Sequence, residues 1–132
     1  MHDDLEESVG AGTNLFPAGQ LHGSVRWFQN PGDVVSADHD ELPNVIAFVS
    51  KGGMTFLSPI LAEVKAVVCT AGSLESPLAL LAREFEVPCV MGTELHIDVR
   101  DGDEVVLDLE DDSVGSIVRV GRDTEWVRTV ET

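Results

Sequence analysis

Three short apolar runs constrain this chain most: Asn44-Val45-Ile46-Ala47-Phe48-Val49, Ala66-Val67-Val68-Cys69 and Val87-Pro88-Cys89-Val90-Met91. Each lacks polar alternation, which marks a strand covered on both faces. Parallel strands need crossovers, and the segments between the runs supply them. Lys51-Gly52-Gly53 breaks the first run, and Ser58-Pro59 then opens a short helix. Serine is a good N-cap, and proline fits the first helical position. Ala71-Gly72 stops the second run, and Ser76-Pro77 opens a second helix in the same way. Leu78, Leu81, Ala82 and Phe85 recur at the i, i+3, i+4, i+7 spacing of a helix with one buried face. Gly92 stops the third run. The pattern predicts a parallel βαβαβ core with right-handed crossovers.

The flanks read as antiparallel strands around that core. Ser24 to Phe28 forms a first strand, followed by a turn at Asn30-Pro31-Gly32-Asp33 and an acidic loop from Ala37 to Glu41. Asp101-Gly102-Asp103 is a turn. Glu104 to Leu109 alternates as a strand, Glu110-Asp111-Asp112-Ser113 reverses it, and Val114 to Val120 pairs with it. The expected class is α/β (mixed β/β/α), a parallel βαβαβ core plus antiparallel strands. The 132 residues suit one domain. Residues 1–14 are polar and glycine-rich, which predicts a mobile lead-in. Residues 15–122 form the domain, and residues 123–132, with Trp126 and Val127, form a tail.

Charge narrows the partners. There are 24 acids against 8 bases, a formal net charge of −16. Such a surface repels phosphate backbones and anionic lipid heads, so binding to nucleic acid or membrane is not expected. Hydrophobic residues still make up 43% of the chain, so the acids decorate an ordinary core. The acids are spread along the chain and only Lys51 and Lys65 are lysines, which reads as adaptation to high salt. An acidic domain from a low-salt cell is the alternative. The start, Met1-His2-Asp3-Asp4, is acidic and lacks an apolar stretch, so a signal peptide is not expected there. Cys69 and Cys89 lie in apolar runs and read as reduced, buried thiols. Both points favour a cytoplasmic protein.

Gly72-Ser73-Leu74-Glu75-Ser76-Pro77-Leu78-Ala79 through Ala82-Arg83-Glu84 to Pro88-Cys89-Val90-Met91-Gly92-Thr93 resembles a known signature. It is that of the swivelling phosphohistidine domain, the mobile module of phosphoenolpyruvate (PEP) synthase, pyruvate phosphate dikinase and related PEP-utilizing enzymes. The family pattern runs Gly-Gly-x-Thr-Ser-His-Ala-Ala-Ile-x-Ala-Arg-Glu-x-Gly-Ile-Pro-x-Val-x-Gly-Thr. Asp101-Gly102-Asp103-Glu104-Val105 resembles the family's downstream turn, and Pro17-Ala18-Gly19 to Gly23-Ser24-Val25 its glycine-rich opening. The resemblance implies a swivelling-domain fold and a motif loop made of Gly72, Ser73, Glu75, Ser76, Arg83 and Glu84. It also implies a phosphoryl-accepting histidine, and Pro77 stands at that position. Ser73 replaces a glycine and Glu75 a threonine. No catalytic residue is therefore assigned.

Other candidates read as ordinary structure. His22, His39 and His96 are not at a recognisable helix start. Lys51-Gly52-Gly53 lacks the full spacing of a phosphate loop and reads as a turn. The acids from Asp101 to Asp112 lack the order of a calcium loop and read as a solvated edge. No His/Cys cluster has zinc spacing, so neither metal nor cofactor is expected. Arg83 and Glu84 read as a local ion pair or a loop tether. The expected function is a degenerate mobile domain acting as a non-catalytic binding or assembly module, alongside other domains or subunits of a PEP synthase-like system. The alternative is a subunit of a split phosphotransferase of that type.

Self-repulsion among 24 carboxylates on so small a body should be relieved by screening. The melting temperature, followed by circular dichroism, should climb steeply from dilute buffer to molar potassium chloride. A flat profile would count against salt adaptation.

Overall fold

The computed structural model describes residues 6–50 and 56–120. Seven strands run in chain order: β1 (Glu6–Asn14), β2 (Gly19–Trp27), β3 (Val45–Val49), β4 (Ala66–Cys69), β5 (Cys89–Leu95), β6 (Glu104–Leu109) and β7 (Val114–Val120). They form a closed barrel in the order β1-β5-β4-β3-β2-β6-β7. The wall β2-β3-β4-β5 is parallel. The rest, β2-β6, β6-β7, β7-β1 and β1-β5, is antiparallel. Two helices lie in the connections, α1 (Pro31–Val35) and α2 (Pro77–Glu84), with 3-10 turns at Leu42–Asn44 and Ser58–Ile60.

The apolar runs are explained by two cores, one on each side of the parallel wall. Val9, Val25, Ile46, Phe48, Ala66, Val68, Val90, Leu107 and Ile117 come from all seven strands and fill the barrel. Val45, Ala47, Val49, Val67, Cys69, Cys89 and Met91 point the other way. They are covered by Val34, Leu42, Ile60, Leu78, Ala79 and Ala82 from the connections. Successive strand residues therefore alternate between two buried layers. By contrast, β6 has one wet face, and its residues alternate between buried and half-buried. Trp27 closes one end of the barrel. Its ring lies 5.2 Å from that of Phe48, and its Nε1–H donates to the Val99 carbonyl at 2.8 Å.

The α/β expectation is corrected. The sheet closes, strand dominates, and among the described residues α2, with eight residues, is the one crossover helix of two turns. The segment opened by Ser58-Pro59 makes mostly i→i+3 bonds, Ile60 to Leu57, Leu61 to Ser58 and Glu63 to Ile60. Lys65 already donates to Val45 in the wall, so the chain must leave the turn by Val64. A helix nucleus has a high entropic cost and is repaid only by propagation, for which this segment has no room. Asn30-Pro31-Gly32-Asp33 starts α1 instead of a simple turn, with Asn30 Oδ1 accepting from the Asp33 N–H at 3.1 Å. Gly92, at φ 59°, does not end β5, which runs on to Leu95.

A second correction concerns residues 6–14, expected to be a mobile lead-in. They form β1, which pairs with both β5 and β7 and so closes the barrel. Met1 to Leu5, Lys51-Gly52-Gly53 and the tail with Trp126 and Val127 lie outside the described residues. The reason β1 was hidden is its composition: Val9 is its one large apolar residue. Its glycines act by what they lack. A Cβ on Gly10 would collide with the Glu94 carbonyl oxygen of β5. One on Gly12 would lie 2.7 Å from the Met91 carbonyl oxygen. Asn14 then anchors the strand end, its Nδ2 donating to the Leu109 and Asp111 carbonyls at 3.1 and 2.7 Å. Arg119 on β7 ties the other end to Glu7 at 2.5 Å and reaches Asp103 at 3.2 Å.

Gly10→Ala should cost roughly 1–3 kcal/mol, the usual range for overpacking, because the obstacle is backbone. Urea unfolding measures it. An unchanged midpoint would mean that β1 does not run against β5.

Candidate functional site

The motif loop joins β4 to α2, on the outer side of the parallel wall. Gly72 sits at φ 91°, a conformation that favours glycine. A Cβ on Gly92 would lie 3.0 Å from the Gly72 carbonyl oxygen, so the two motif glycines bring the loop against β5. The loop then holds itself. Ser73 N–H donates to Ser76 Oγ at 2.8 Å, Ser76 N–H to the Ser73 carbonyl at 3.0 Å, and Glu75 N–H to Ser73 Oγ at 3.2 Å.

Ser76 is the N-cap residue of α2, with extended backbone at φ −67°, ψ 152°. Its hydroxyl accepts from Ser73 instead of a first-turn amide, which departs from the usual cap. Pro77 is the first helical residue and is exposed. That position has no intrahelical hydrogen bond to lose, so proline is tolerated there. Gly72, Ser73, Glu75 and Pro77 are all exposed at the mouth of this loop.

The Arg83–Glu84 pair is not formed. Neither residue makes an ion pair among the described residues. Consecutive helical residues point about 100° apart and do not face each other. Arg83 lies in the last turn, where its charge suits the helix dipole. Glu86, just beyond, has φ 59° at the place where the family pattern has glycine. Its N–H reaches the Arg83 carbonyl and the Val87 N–H the Ala82 carbonyl, so the helix ends in a left-handed turn built on glutamate.

No described histidine lies at the start of α2. His22 is on β2, its Nε2 3.1 Å from Glu104 Oε1, and Glu104 also accepts from Ser24 Oγ at 2.6 Å. His39 Nδ1 lies 2.7 Å from Glu63. The Glu63 hydrogen bond and charge raise its pKa, with Asp38 and Asp40 adding to the effect. His96 follows β5 and lines a cleft of about 470 Å³ with Trp27, Thr70, Thr93 and Asp98. This cleft, at the Trp27 end of the barrel, had no signal in the sequence because its residues come from distant segments.

The cysteines offer no nucleophile. Both are free and buried. Burial pushes the Cys89 thiol up to about 12, with Cys69 adding to the shift. Burial raises Cys69 as well, against the bond its thiol donates to the Ala71 carbonyl at 2.9 Å. Several acids between Asp101 and Asp112 are turn-makers. Asp101 accepts from the Trp27 N–H at 2.7 Å, and Asp111 from the Ser113 and Val114 amides, which lower its pKa. Among the described residues, no group of three or more His, Cys, Asp or Glu could hold a metal ion.

A family model described as the PEP-utilising enzyme mobile domain matches residues 55–111, a span that contains the loop, α2 and β5. The match agrees with the resemblance read from the sequence and covers less than half of the chain. The chain is also similar to chondramide synthase cmdD of Chondromyces crocatus, at 31% identity over 93 residues. That alignment takes in 70% of this chain and 2% of the synthase. Among solved structures, the solution NMR structure of a UPF0107 protein resembles it with a TM-score of 0.48 and 15% identity, covering 83% of this chain and 96% of the other. Among the described residues, no helix is long and apolar enough to cross a membrane.

Proposed function

We propose that this mobile domain has lost phosphoryl transfer and serves as a non-catalytic binding or assembly module. The observation that carries the reading is Pro77 at the first position of α2. An imidazole nitrogen has a lone pair that can attack phosphorus. The nitrogen of a proline within the chain is an amide, conjugated with the preceding carbonyl, and has no such pair. The surroundings point the same way. A helix start favours an incoming anion, but exposed Glu75 brings a carboxylate to that mouth. His22 and His39 are engaged with Glu104 and Glu63 on other parts of the surface.

The family setting supports work within a larger system. A mobile domain is one part of a PEP-utilising enzyme, and the matched segment is a small fraction of the chondramide synthase. The proposed partners are other domains or subunits of such an assembly. The acidic surface supports a cytoplasmic, salt-adapted setting in which screening lets protein partners approach.

Incubated with radiolabelled PEP and a competent PEP synthase-type enzyme, the chain should acquire no acid-labile phosphate. Stoichiometric phosphohistidine at His22, His39 or His96 would overturn the reading and favour the split phosphotransferase.

A further inference from the structure

Helix α2 is apolar on two sides. Leu78, Ala79 and Ala82 pack inward and are fully buried. Facing outward are Pro77 and Leu80, with Phe85 at the C-cap, while Leu81 is partly buried and packs against the outer core. Leu80 is 52% exposed and Phe85 46%; Pro77 is exposed. A helix that buries one face normally turns polar residues to water. Over Pro77–Glu84 only Arg83 and Glu84 do so. The stripe begins at the residue standing where the family has its histidine.

We propose that this outward stripe of α2 is a docking face for a protein partner presenting an apolar groove edged by lysine and arginine. The proposal rests on the reading of Pro77 as non-reactive and names the partner chemistry of that same site. Charge complementarity selects the occupant. Exposed Glu75 precedes the helix, and exposed Glu84 and Glu86 close it, leaving Arg83 as the one base on this stretch. A partner with a basic rim gains attraction around an apolar centre. A second copy would bring the same carboxylates face to face, on a chain of net charge −16. Nucleic acid and anionic lipid meet the same repulsion.

The test uses the full chain and a fluorescent amphipathic peptide of about 18 residues, long enough to be helical, with leucine on one face and lysine on the other. A matched peptide carries glutamate for lysine. Fluorescence anisotropy at moderate salt should show binding of the lysine peptide alone. The double variant Leu80→Ser, Phe85→Ser keeps the net charge and should bind at least ~10-fold more weakly, since two apolar side chains lose their burial in the complex. Leu80→Ser alone, if the double variant fails to melt cooperatively, should weaken binding in the same direction. Equal binding by wild type and variants would reduce the effect to net charge and overturn the proposal. So would failure to bind the lysine peptide, equal binding of the glutamate peptide, or a dimer in sedimentation that Leu80→Ser dissolves. These outcomes leave the phosphate labelling result untouched, so the docking face and the loss of chemistry fail separately.

Discussion

The closed barrel depends on β1 lying hydrogen-bonded between β5 and β7. Without it the sheet would have two open edges, and the barrel core would face water along them. With it, residues from all seven strands share one interior. The closure is steric as well as hydrogen-bonded. Gly10 and Gly12 let β1 approach β5 to distances that any side chain would block. Arg119, bridging Glu7 and Asp103, holds the same seam from the surface. The parallel wall is thereby fixed, and so is the place where β4 delivers the motif loop to α2.

Much of that wall was legible in the sequence. The apolar runs containing Val45–Val49 and Ala66–Cys69 are β3 and β4, and Ser76-Pro77 does open α2. Those features are local: an unbroken apolar run, or a cap followed by proline. What was illegible is non-local. The closing strand Glu6–Asn14 has almost no apolar signal, because its glycines are selected by the backbone they must approach. Leu57, Ile60, Leu61 and Val64 carry helical spacing yet fold as turns, because β4 takes up the chain immediately after. Periodicity reports which residues are buried; it does not report how much chain remains before the next strand.

The site divides in the same way. The motif residues identify the loop, and the geometry shows how it is held: Gly72 against Gly92, and Ser76 bonded back to Ser73. Two properties needed the structure. Arg83 and Glu84 were natural partners in sequence but point in different directions on the helix. Leu81 and Phe85 were assigned with Leu78 and Ala82 to one buried face, whereas Leu81 lies at its margin and Phe85 is exposed. The exposed apolar residues of this segment are Pro77, Leu80 and Phe85.

The central claim is that the family scaffold is kept while the chemistry of its loop is lost. The most direct measurement is phosphate incorporation from labelled PEP, with a competent partner enzyme, into Pro77→His and into Pro77→His combined with Glu75→Thr and Ser73→Gly. The single change should fold at a cost of roughly 0.4–1 kcal/mol, the usual gain from a compatible proline. It should take up little phosphate, because Glu75 still faces the incoming anion. The triple change should be labelled on residue 77. Full labelling of the single variant would contradict the claim that the whole loop has been lost, and a folded triple variant that takes up none would contradict the claim that the scaffold is kept.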